Sequence, residues 1–171
     1  KHLQKLYESK LVTYPRVDTT YLPENMYPKI KDILENMKPY AQFTQAILGK
    51  PIRKSKKVFD DKKITDHHAI IPTGVLPPSG MYLPEKQVYD LIARRFIAAF
   101  YPDCVVSNTV VLGDVDGNEF SATGKVILEE GWRVLFPKAA TNSAANDSSE
   151  DKEKENEEQL MPLFVKGEKG E

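Results

Sequence analysis

The run Phe100-Tyr101-Pro102-Asp103-Cys104-Val105-Val106-Ser107-Asn108-Thr109-Val110-Val111-Leu112 is where the chain changes character. Upstream of it, Pro84 opens a helix as a first-turn proline, and Val88, Leu91, Ile92, Ile97 and Phe100 recur at helical spacing as a buried stripe until Pro102 ends it. Downstream, Val105–Leu112, Glu119–Leu128 and Trp132–Phe136 are rich in Val, Ile and Thr and read as strands, with a hairpin turn at Asp116-Gly117. A helical part followed by an antiparallel β part makes the chain α+β. The expected division is a helical domain over residues 1–101 and a β-rich domain over residues 102–171.

Working back toward the N-terminus, Leu3, Leu6 and Tyr7 show helical spacing with no capping residue before them, so the sequence reads as a fragment cut inside a helix. Leu11–Tyr14 is a short extended segment that Pro15 holds in the β or polyproline region. Met26, Ile30, Ile33, Leu34 and Met37 then recur at three- and four-residue spacing, which predicts an amphipathic helix from Pro23 to Met37. A second helix over Tyr40–Leu48 presents Phe43, Ala46 and Ile47, with Gly49 as its cap. At the other end, residues 138–158 are Ala, Asn, Ser, Glu and Lys with no aromatic side chain, a composition expected to stay disordered. Leu160–Val165 reads as a strand returning to the sheet.

Charge is distributed more tellingly than its sum of −1 indicates. Residues 147–158 carry a net of −5, which leaves the remainder at +4, and residues 50–63 alone carry +5. That basic run suits either contact with phosphate or a solvated loop. One cysteine, Cys104, excludes an intrachain disulfide framework and a multi-cysteine zinc site, and no apolar run is long enough for a membrane helix. A cytoplasmic protein follows as the expectation.

No phosphate-cradling glycine loop, nucleophile elbow or His-Glu-x-x-His helix is present. Asp114 and Asp116 sit in ordinary turn chemistry rather than an EF-hand, and adjacent His67 and His68 point to opposite sides of an extended chain, which argues against a shared metal. Tyr14-Pro15-Arg16-Val17-Asp18 places a hydroxyl and, two residues on, a guanidinium on one side of extended backbone, a pairing suited to phosphoryl chemistry. The same tyrosine also suits a packing role.

Leu11-Val12-Thr13-Tyr14-Pro15-Arg16-Val17-Asp18-Thr19-Thr20-Tyr21-Leu22-Pro23, followed in order by Asp66-His67-His68-Ala69-Ile70-Ile71-Pro72-Thr73, resembles two motifs of the type IA DNA topoisomerases, in wording closest to the bacterial topoisomerase III branch. The likeness continues through Tyr89–Phe96 to Gly131-Trp132 and resumes at Leu160, leaving residues 138–158 without a counterpart. It implies that Tyr14 attacks a phosphodiester of single-stranded DNA and becomes linked to the 5′ phosphate, with religation by the freed 3′ hydroxyl. Arg16 would stabilise the phosphate charge, and His67 would hydrogen-bond near the scissile phosphate or to an acid in another domain. Asp18 would orient Arg16, and Thr19, His68, Lys57, Arg94 and Arg95 are further candidates for DNA contact.

The family pairs this tyrosine domain with a separate acidic domain that binds magnesium, and no segment here matches that domain. The resemblance therefore implies Mg2+ as a cofactor of the full-length enzyme only, an inactive fragment, and the remaining domains of the parent enzyme as partners, with residues 102–171 forming part of its arch. It also implies association with the nucleoid. Two other classes stay open on residues alone: a non-catalytic single-stranded nucleic-acid-binding module using the basic run, and an interaction domain docking through the acidic loop.

Overall fold

A computed structural model describes residues 1–136. Its helices are α1 (His2–Glu8), α2 (Tyr27–Asn36), α3 (Ala41–Leu48) and α4 (Leu83–Ala98), followed by the strands β1 (Val105–Val115) and β2 (Asn118–Glu129). Short 3-10 turns sit at Glu24–Met26, Lys38–Tyr40, Asp61–Lys63 and Gly131–Leu135. The expected loop at 138–158 and the strand at Leu160–Val165 lie outside the described residues. The chain divides into two compact units between Pro102 and Asp103.

In the first unit, the three- and four-residue spacing on α2 buries Ile30, Ile33 and Leu34, and Met37 follows them into the core. Pro28 stands in the first turn, where its missing N–H breaks no helical bond. Pro39 stops the α2 pattern, and the chain re-enters helix through the Lys38–Tyr40 turn. On α3 the buried positions are Thr44 and Ile47, whereas the expected Ala46 is exposed and Phe43 half-buried. Gly49 does cap α3, but at φ −70, so no left-handed residue is needed there.

The stripe on α4 matches the expected one in part: Ile97 and Phe100 are buried, whereas Val88 and Ile92 are half-buried. Tyr89, Ala93, Phe96 and Ile97 are buried, Phe100 beyond the helix joins them, and Leu91 is 54% exposed. The helix carries apolar residues on several faces, and aromatic packing selects among them. Phe96 and Phe100 meet edge to face at 5.3 Å, and Phe100 lies 6.2 Å from Phe59. A Lys5–Glu85 ion pair at 3.0 Å joins α1 to α4.

In the second unit, β1 and β2 form an antiparallel hairpin. Its turn has positive φ at Asp116 (52) and Gly117 (80), the backbone that a two-residue primed turn requires. The third expected strand, Trp132–Phe136, is instead a 3-10 turn. Gly131 takes φ 51 and Arg133 N–H donates back to the Glu130 carbonyl, so the chain coils where extended pairing would need it straight. Among the described residues no helix is long and apolar enough to cross a membrane.

Candidate active site

Tyr14 is positioned by the way α1 ends. Lys10 N–H donates to the Tyr7 carbonyl and Leu11 N–H to the Leu6 carbonyl, with Lys10 in the left-handed region at φ 59. This paired closure, with Leu6 and Leu11 both buried, turns the chain sharply out of the helix. Leu11 and Val12 then run extended through the core.

The second motif lies antiparallel to the first. Val12 pairs with Pro72, Thr13 N–H donates to the Ile71 carbonyl at 3.0 Å, and Thr73 N–H donates to the Leu11 carbonyl at 3.1 Å. Side chains close the gaps in this short ladder. The Thr13 hydroxyl donates to the Ala69 carbonyl at 3.3 Å and accepts from Ile71 N–H at 3.0 Å, and the Thr73 hydroxyl donates to the Lys10 carbonyl at 2.6 Å. A β-branched hydroxyl residue both favours extended backbone and supplies these bonds.

This clasp brings Tyr14 to His67. Their ring centroids are 4.3 Å apart at an interplanar angle of 38°, and Tyr7 meets the Tyr14 ring edge-on at 5.5 Å. Tyr14 is half-buried, whereas His67 and Arg16 are exposed. Arg16, Val17, Asp18, Thr65, Asp66 and His67 line one cleft of about 440 Å³. The cleft thus has a guanidinium and an imidazole at its wall, beside a phenol held by two rings. Such a set can bind an oxyanion and present an oxygen nucleophile to it.

The other candidates are arranged differently. His68 is half-buried, with Nδ1 donating to the Ala69 carbonyl at 2.8 Å, since a carbonyl only accepts. Thr19 spends its hydroxyl within the loop, donating to the Lys63 carbonyl at 2.8 Å and accepting from Tyr21 N–H at 3.2 Å. Lys57 is exposed on the basic run, its N–H bonded to Ser55 Oγ. Arg94 belongs to a second network: Nε donates to Asp90 Oδ2 at 2.7 Å, the guanidinium lies over Phe43, and Tyr40 O–H donates to Asp90 Oδ1 at 2.9 Å. Arg95 is exposed on the same helix. Among the described residues no three His, Cys, Asp or Glu side chains gather into a metal-binding group.

A sequence model of the DNA topoisomerase family matches residues 1–169. The chain belongs to the DNA topoisomerase family. DNA topoisomerase 3 of Bacillus licheniformis is 40% identical to it over 169 residues, and DNA topoisomerase 3 of Bacillus subtilis is 39% identical over 169 residues. The matches cover 96% of this chain and 22% of each relative, so the chain spans under a quarter of their length.

Four residues of this chain have structural roles that the sequence does not indicate. Thr13 ties the motifs together, Tyr7 braces Tyr14, and Tyr21 and Lys63 pair, with Lys63 Nζ donating to the Tyr21 hydroxyl at 2.8 Å. Thr13 and its partners Ala69 and Ile71, 56 and 58 positions away, lie in the two quoted motifs and Lys63 lies in the basic run, but nothing in the sequence shows that these residues meet.

Proposed function

We propose that the chain is the nucleophile-bearing segment of a type IA topoisomerase that cuts single-stranded DNA transiently. In the forward step the Tyr14 phenol oxygen attacks the phosphorus and loses its proton. A Tyr14 O–P bond forms, the P–O3′ bond breaks, and the departing 3′ oxygen takes up a proton to become a hydroxyl. Religation is the reverse: the 3′ hydroxyl attacks and the tyrosine leaves. Arg16 binds the non-bridging oxygens with its planar two-donor fork, which matches phosphate geometry and stabilises charge as it builds. His67, in ring contact with Tyr14, supplies a hydrogen bond at the same phosphate.

The observation that supports this best is the tilted Tyr14–His67 ring contact at 4.3 Å, beside a cleft that His67 shares with Arg16. The magnesium that the family resemblance implies does not fit the described residues, so no step here is routed through it. We assign it, with the acidic domain, to the rest of the parent enzyme, and this chain alone is expected to form no adduct.

The test uses full-length enzyme carrying this chain and end-labelled single-stranded DNA, read by denaturing electrophoresis. Tyr14→Phe should abolish the covalent band while leaving the melting temperature nearly unchanged. Arg16→Lys should keep DNA affinity better than cleavage rate, because it retains charge without the fork. His67→Ala should slow single-turnover cleavage without unfolding the protein. A covalent band that persists in Tyr14→Phe sinks the reading and leaves a binding module in its place.

A further inference from the structure

Three lysines of the first unit meet carboxylates. Lys5 reaches Glu85 at 3.0 Å, Lys31 reaches Glu35 at 3.7 Å and Lys54 reaches Glu24 at 2.8 Å. Lys63 is arranged otherwise. Its Nζ donates to the Tyr21 hydroxyl at 2.8 Å and stands 4.4 Å from the centre of the Tyr21 ring. A phenol and a π face orient an ammonium without neutralising it. Lys63 is exposed, so two of its three N–H donors remain for a partner from solution.

The backbone around this pair is fixed from both sides. The Thr19 hydroxyl holds the Lys63 carbonyl, Leu22 pairs in parallel with Phe59, and Ala69 N–H donates to the Tyr21 carbonyl at 2.9 Å. Lys63 and Tyr21 therefore clasp the segment that contains Thr65, Asp66 and His67, three of the residues lining the Arg16 cleft. An ordered side chain loses less conformational entropy on binding than a free surface lysine. Lys63 is a charged ammonium at neutral pH in any case, and hydrogen bonding to Tyr21, with a smaller contribution from the Asp60 carboxylate, raises its pKa further.

We infer that the Tyr21–Lys63 pair is a built phosphate-binding arm, which grips the DNA backbone at a phosphate next to the one held by Arg16 and His67. The inference rests on the proposed cleavage reading for the identity of its ligand. It adds a contact that positions the strand and takes no part in bond making.

The probe is an end-labelled single-stranded oligonucleotide bound to the full-length enzyme across a range of salt concentrations. Each neutralised phosphate on a single strand contributes about 0.7 to the slope of log affinity against log salt. Lys63→Gln should lower that slope by about 0.7 and weaken binding several-fold, equally for different base sequences. Lys63→Arg should restore both. Tyr21→Phe keeps the charge and loses its anchor, so affinity should fall while the slope holds. Lys62→Gln, one residue away in the same basic run, should change the slope less.

An unchanged slope in Lys63→Gln overturns the inference, and so does an equal loss in Lys62→Gln, which would mean diffuse charge rather than a site. A drop in melting temperature for Lys63→Gln shifts the decision to Tyr21→Phe, whose wild-type affinity would likewise overturn it. The cleavage reading is scored separately, by the Tyr14-dependent covalent band. That band can be present while the Lys63 effect is missing, or missing while the slope still reports the arm.

Discussion

The Tyr14 clasp and the β1–β2 hairpin are both extended chain rich in β-branched residues, yet they are stabilised in opposite ways. In the clasp, Leu11, Val12 and Ile71 are 1–3% exposed, and threonine hydroxyls complete a ladder too short to stand alone. In the hairpin, eleven register pairs make a long ladder, but Val110, Leu112 and Phe120 are 60–79% exposed. A two-stranded ribbon without a covered face is marginal in water. Among the described residues, burial therefore fixes the geometry of the first region and backbone pairing carries the second. Chemistry that needs atoms held to a fraction of an ångström belongs in the first.

The sharpest way to break this contrast is to hollow out the helical layer. Leu34 is fully buried on α2, and Leu34→Ala should destabilise the first unit by about 2–5 kcal/mol, measured by urea unfolding followed by far-UV circular dichroism. A loss below about 1 kcal/mol would mean that the core above the clasp is not close-packed. Next in size is Thr13→Val, which keeps the shape and removes the hydroxyl. Ile71 N–H loses its acceptor, and the cost should be about 1–3 kcal/mol. Cleavage by the full-length enzyme should slow as well, since Tyr14 follows directly. Unchanged stability together with unchanged cleavage would show that the hydroxyl bonds do not hold the two motifs in register.

These two variants also mark how far the sequence could be read. The 3.6-residue pattern over Met26–Met37 located α2 and its buried face, because burial there follows one clean stripe. On α4 the stripe was placed only in part, since Tyr89 and Phe96 compete with Leu91 and Ile92 and only the aromatic partners Phe59 and Phe100 decide between them. The strand expected at Trp132–Phe136 failed because β propensity says nothing of a glycine that takes positive φ just before it. Tyr14, Arg16 and His67 were legible as motif residues. Thr13, Tyr21 and Lys63 were not, because their roles exist only once residues more than forty positions apart meet.

A smaller effect comes from Tyr40, which links the Lys38–Tyr40 turn to α4 through Asp90. Burial first, and then its hydrogen bond to the Asp90 carboxylate, push the Tyr40 pKa well above the ordinary tyrosine value. The folded protein thus holds this proton more tightly than the unfolded chain, whose tyrosine ionises near pH ~10. The contribution is full below that pH and is lost as pH rises through the folded value. Tyr40→Phe should cost about 1 kcal/mol at neutral pH, and the gap between the two proteins should close above pH ~10. Burial raises Tyr89 and Tyr101 too, but both proteins share them, so the difference isolates Tyr40. A gap that widened with pH would reverse the sign of this linkage.

The smallest expected effect sharpens the comparison from the hairpin side. Leu112 is 79% exposed and stands opposite Ser121 on β2. Leu112→Thr gives up an apolar side chain that is hardly covered, keeps a residue suited to extended backbone, and places two hydroxyls across the strands. The change in stability should stay within about 0.5 kcal/mol, the range of ordinary surface substitutions. Val12→Thr makes a similar exchange at a position 1% exposed in the clasp, where a buried hydroxyl without a ready partner should cost about 1–3 kcal/mol. Measured side by side in urea, the two substitutions test whether cover, rather than residue type or pairing, separates the regions. Equal losses would mean that Leu112 is covered after all, and that the hairpin has a packed face of its own.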